Sequence, residues 1–177
     1  MWLFMYACYL MAALTYVLFV LAGLQGIFGF PVLGAPHPTF SFLTAIIYFF
    51  TQTLIIFFFV GTGTNIREYL EEAARADPNG TPAKLVARAR HIRGAVSGQV
   101  YLNILLFLAQ AILGGAVAAR AVPRFLHGTL VVAAFVHFHY VMWREHLAFR
   151  DMTALVVEMT GHGRPDHPER ADPAADG

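Results

Sequence analysis

Apolar residues fill four long stretches of this chain, and polar residues gather in the intervals between them and at the far end. The stretches cover residues 2–28, 40–60, 100–119 and 126–146. At about 1.5 Å of rise per residue, each is long enough as a helix to cross a hydrocarbon layer of about 30 Å. The second stretch is rich in aromatic and β-branched residues, yet it is too long for a strand and lacks alternating polarity. The pattern predicts an all-α polytopic membrane protein, a bundle of four transmembrane helices.

The intervals refine this picture. Residues 30–39 (FPVLGAPHPT) hold three prolines and a glycine, which gives a short extended turn with His37 as an exposed loop histidine. Gly23, Gly26 and Gly29, just before it, form a small-residue stripe suited to close helix contact. Past the second stretch, Gly61-Thr62-Gly63-Thr64-Asn65 reads as a turn, and Asn65 with Glu68 has the spacing of a capping box that opens the amphipathic segment NIREYLEEAARA. The turn lacks the longer pattern and the lysine of a phosphate-binding loop, so helix initiation is the better reading. Asp77-Pro78-Asn79-Gly80 is a strong turn signal, after which Thr81 as N-cap and Pro82 at the first helical position open a second short helix, AKLVARARHIRG. Loop 61–97 is therefore expected to fold as an amphipathic helical hairpin between the second and third spans. Residues 120–124 make the turn into the fourth span, whose helix continues to Gly161, so that residues 1–161 form one membrane domain. The tail, residues 162–177, is rich in Pro, Asp and small residues and is expected to be disordered.

Composition and charge then set the surroundings. Of the 177 residues 58% are hydrophobic and only 13% charged, against roughly 25% charged in soluble domains. No Asp, Glu, Lys or Arg precedes Arg67. The first stretch has no basic start and is longer than a secretory signal core, so it is expected to be retained as a helix. The single cysteine, Cys8, permits no intrachain disulfide or thiolate metal cluster and reads as a small hydrophobe. The net charge of +1 gives no argument for nucleic acid, because the basic residues flank the spans. Six of them lie in loop 61–97 and four (Arg144, Arg150, Arg164, Arg170) lie at or beyond the end of the fourth stretch, whereas the opposite turns offer only Arg120 and Arg124. The positive-inside rule then places both termini and the hairpin on the cytoplasmic side of the cell's inner (plasma) membrane.

Candidate chemistry is sparse. Gln52, Asn103 and Gln110 lie inside apolar stretches and need partners within the bundle, since an unpaired amide in hydrocarbon costs several kcal/mol. Lys84, Arg88, Arg90 and Arg93 form a basic run suited to lipid headgroups or a partner subunit. The fourth stretch carries His127, His137 and His139, followed by His146 just past the Arg144-Glu145 pair. On a helix His139 and His146 share a face, about 10 Å apart along the axis. Either could hold haem b with His91, which lies at the inner end of the third span. His137 could join such a site, or His137 and His139 could relay protons or cations among Gln52, Asn103 and Gln110. A relay lacks a membrane-embedded carboxylate on this reading, because Glu145 and Asp151 fall at the rim. His137 and His139 diverge by about 200°, so at least one should meet another chain or a cofactor. The leading expectation is a small accessory subunit of a larger membrane complex, not an enzyme on its own, with the bilayer and other membrane subunits as partners. A haem b- or quinone-binding electron-transfer subunit comes second, and a proton or ion transport component third.

Overall fold

The computed structural model describes residues 2–162; all but the first residue of the expected tail lies outside the described residues. Four helices follow one another: α1 (Trp2–Phe28), α2 (His37–Ala76), α3 (Thr81–Ala118) and α4 (Arg124–His162). No β-strand occurs among the described residues, beyond one isolated bridge between Val32 and Ala35 in the α1–α2 turn. All four helices are long and apolar enough to cross a membrane.

The helix ends follow local chemistry. Gly29 adopts φ +72°, a left-handed conformation that glycine reaches without steric cost, and its N–H caps the Gln25 carbonyl at 2.8 Å. The buried Gln25 side chain then donates through Nε2 to the Ala35 carbonyl at 2.7 Å, tying the turn to α1. His37 is not an exposed loop residue. It is the first residue of α2, and Pro38 is accommodated beside it because the first turn needs no N–H from that position. Its half-buried imidazole packs on Gly26, where a Cβ would come to 3.0 Å of the ring.

The expected break at residues 61–65 is absent. α2 runs straight through Gly61-Thr62-Gly63-Thr64-Asn65, so Asn65 caps nothing, and α3 is likewise one helix from Thr81. Tertiary packing explains the continuity: Ile66 and Leu70 of α2 bury against the same cluster as Leu85 and Ala89 of α3. That burial outweighs the roughly 1 kcal/mol that each interior glycine costs relative to alanine. At the turn, Gly80 rather than Thr81 takes the N-cap position.

Buried positions recur every three or four residues along each helix. Cys8, Ala12, Thr15, Phe19 and Ala22 mark the stripe on α1, and Ala134, Phe138, Val141, Glu145, Ala148, Met152 and Leu155 the stripe on α4. This is the spacing of left-handed bundles with side chains interlocked across the seam. Helices adjacent in sequence pack against each other in antiparallel fashion, and α1 closes on α4 through large rings. Tyr16 and Phe19 stack on Phe135 at centroid distances of 5.8 and 5.1 Å. The outward faces are apolar too, with Leu10, Val17, Phe42, Phe57, Leu105, Ile112, Val132 and Val136 all exposed.

A continuous α2 gives a test. Nothing lies within 4 Å of a Cβ built on Gly63. Gly63→Ala should therefore raise stability in detergent by about 0.5–1 kcal/mol, read as a higher unfolding midpoint. A glycine-dependent turn at this position would make the same substitution destabilising.

Candidate functional site

Polar side chains enter the bundle at two levels. The first level is built around Asn103 of α3, which is fully buried. Its Oδ1 accepts from the Tyr48 hydroxyl of α2 at 2.7 Å. Its Nδ2 donates to the Ala134 carbonyl of α4 at 3.2 Å and to Nδ1 of His137 at 3.0 Å. With Nδ1 accepting, Nε2 of neutral His137 carries the proton and donates to Oε1 of Gln99 at 3.2 Å. Tyr48 is fixed in turn by a parallel stack on Phe107, 3.7 Å between centroids. One carboxamide thus joins three helices, with both amide hydrogens and its carbonyl oxygen engaged. Nearby, Thr51 donates to the Ile47 carbonyl and accepts from Thr15 of α1, both at 2.8 Å.

The second level is not satisfied. Glu145 sits in the buried stripe of α4, 3% exposed, between Val141 and Ala148. The Gln52 carboxamide of α2 lies beside it, and Cys8 of α1 and Tyr48 of α2 are within electrostatic reach. Glu145 Oε1 and both polar atoms of the Gln52 side chain are buried without a hydrogen-bond partner. The rim position expected for Glu145 describes its neighbours but not this side chain. Asp151 is half-buried and pairs at 3.4 Å with Arg150, and Arg144 reaches out to the Tyr140 hydroxyl at 3.4 Å.

The other candidate residues are dispersed. His139 is exposed, edge-on to Tyr16 at 5.0 Å and to Phe135 at 5.1 Å. His146 is exposed on the α1 side, its Nδ1 at 2.9 Å from the Tyr9 hydroxyl. His91 is exposed on α3, which meets α1 through the Phe19–Phe107 ring pair, sixteen residues further along α3 than His91. Because Arg88 of α3 pairs with Glu158 of α4 at 3.3 Å, His91 is level with the region of Leu155, roughly 14 Å along the axis from His146. The structure does not bring these histidines together, and among the described residues no group of three or more His, Cys, Asp or Glu could hold a metal ion. His127 is half-buried against Gly114, its Nδ1 buried and unpaired. Gln110 is half-buried and outside the Asn103 network, whereas Gln52 is 1% exposed. Within the basic run Lys84 is exposed and Arg88 is engaged by Glu158. Arg90 and Arg93 line a cavity of about 50 Å³ with Arg67 and Thr64 of α2.

Sequence reasoning missed Tyr48 and Gln99 as members of the network, and it missed the burial of Glu145. The last had a signal. Glu145 falls in step with Phe138, Val141, Ala148 and Met152 at helical spacing, and the exposed charges around it do not. Comparison with known protein families, with characterised proteins and with solved structures finds no match for this chain.

Asn103 and Gln110 should respond differently to substitution. Asn103→Leu strands the Tyr48 hydroxyl and His137 and should cost about 1–3 kcal/mol of stability. Gln110→Leu should cost no more than about 0.6 kcal/mol, the mean for interhelical side-chain bonds in membranes. Unfolding of both variants in the same detergent compares them directly, and equal losses would contradict the hub role of Asn103.

Proposed function

We propose that this chain is a four-span integral membrane protein that works as a small subunit of a larger membrane complex. In this reading both termini and the Asp77–Gly80 turn face the cytoplasm. The exposed apolar surface of all four helices supports insertion, since several hundred Å² of contiguous apolar surface rarely faces water on a monomer. The arginine distribution supports the orientation, and the cavity lined by Arg67, Arg90 and Arg93 falls where lipid phosphates would lie.

One observation carries the subunit reading. His139 is exposed on α4 beside Tyr16, which is near the middle of α1. In a bilayer that depth is hydrocarbon, where an imidazole without a partner costs several kcal/mol. The rotation that points His137 at Asn103 turns His139 about 200° away from it. A neighbouring chain that covers this face removes the cost. A haem held within this chain by two of these histidines has no support in their placement. A haem shared across the interface would show itself in an absorption spectrum of the purified complex.

Two measurements check the proposal. A photo-reactive amino acid at position 139, activated in native membranes, should crosslink to one protein partner of defined mass; lipid adducts alone would count against a subunit role. Cysteine introduced at Asn79 should react with impermeant reagents only when the cytoplasmic side is opened. Labelling in intact cells would reverse the topology.

A further inference from the structure

The unsatisfied level of the bundle has a use that the subunit reading does not require. Glu145 is the only buried carboxylate among the described residues, 3% exposed on the inward stripe of α4. The Gln52 carboxamide of α2 lies beside it, Cys8 of α1 and Tyr48 of α2 are within electrostatic reach, and its α4 neighbours Val141 and Ala148 share a core cluster with Val96 and Val100 of α3. On α4 itself the neighbouring charges point away: Arg144 toward Tyr140, and His146 toward Tyr9 of α1. Among the described residues no Lys or Arg forms an ion pair with Glu145, whereas Arg75 pairs with Glu71, Arg88 with Glu158 and Arg150 with Asp151. An ionised carboxylate buried without a cation is expensive, by several kcal/mol even after relaxation.

The neighbouring amide suggests what completes the site. Gln52 offers a donor and an acceptor, and both are unused. An ionised carboxylate only accepts, so it can engage the Nε2 side of Gln52 and leaves Oε1 stranded. A carboxylic acid has one O–H donor and one carbonyl acceptor, which match the two faces of the amide. A metal cation fits poorly, because no group of three or more acidic, histidine or cysteine ligands gathers here. A proton needs neither extra ligands nor extra volume.

We propose that Glu145 is a proton-binding site inside the bundle, its protonated form favoured by burial without a cation and its carboxyl positioned by the Gln52 amide. Binding adds one proton from water to the carboxylate, neutralises one charge and moves no electrons. The site is built by this chain's own helices, so it stands or falls separately from the presence of a partner subunit. Its place between α1, α2 and α4 makes proton occupancy a means of tightening or loosening their packing at the level of Cys8 and Gln52.

Infrared difference spectroscopy on the purified full chain in lipid tests this, because the carbonyl stretch of a carboxylic acid is separate from the bands of an ionised carboxylate. At neutral pH the wild type should show one protonated-acid band that shifts down in D₂O and fades reversibly at alkaline pH. Glu145→Gln should abolish it. Gln52→Leu should retain the band but move it to higher frequency, since the hydrogen-bond partner is gone. This second variant and the wild-type exchange in D₂O keep the test decisive if Glu145→Gln fails to fold. Absence of the band in wild type, a band unchanged in both variants, or a band that sodium removes at fixed pH would each overturn the proposal. The sodium outcome would show a cation site in its place.

Discussion

The Asn103 side chain is the point on which the bundle's geometry depends. Inside an apolar bundle each polar group must find its partner within the protein, and Asn103 meets this demand by joining α2, α3 and α4 at once. That junction sets the rotation of α4. With His137 drawn toward α3, His139 is carried outward, and Glu145, eight residues on, comes round by about 80° into the stripe that faces the other helices. One hydrogen-bonded hub therefore decides which ionisable groups of α4 lie inside and which lie outside.

The two polar levels differ in kind. At the Asn103 level donors and acceptors are matched, and a fully matched buried network rigidifies the elements it joins. At the Glu145 level three polar atoms are buried without partners, each a cost of about 1–3 kcal/mol. The contrast lies between neighbouring layers of one helix pair, since α2 supplies Tyr48 to the first and Gln52 to the second. Rigid support beside an unsatisfied pair lets a single change at that pair be felt by the surrounding helices.

α2 and α3 also extend well past their apolar stretches. At 40 residues α2 is about 60 Å long, roughly twice the thickness of a hydrocarbon core. Under the proposed placement, the coiled ends of α2, α3 and α4 project from the membrane as a continuation of the same bundle, held by Ile66, Leu70, Leu85, Ala89, Met152 and Leu155. Arg67, Arg90 and Arg93 then line one pocket between α2 and α3 at the depth of the lipid phosphates.

The sequence by itself determined the helical class, the four long apolar elements, both ends of α1 and the Asp77–Gly80 turn. These depend on local quantities: the length of an apolar run, the missing N–H of proline and the conformational freedom of glycine. It also marked Asn103 and Gln52 as polar residues in need of partners, without saying which partners. The tertiary structure alone decided that α2 runs unbroken through Gly61–Asn65, because the gain from burying Ile66 and Leu70 comes from a different helix. It alone placed His139 outside and made the stripe that carries Glu145 the inward one. The helices are apolar nearly all the way round, so composition marks no inward face on them. Which side of such a helix is buried is fixed only by the neighbours it meets.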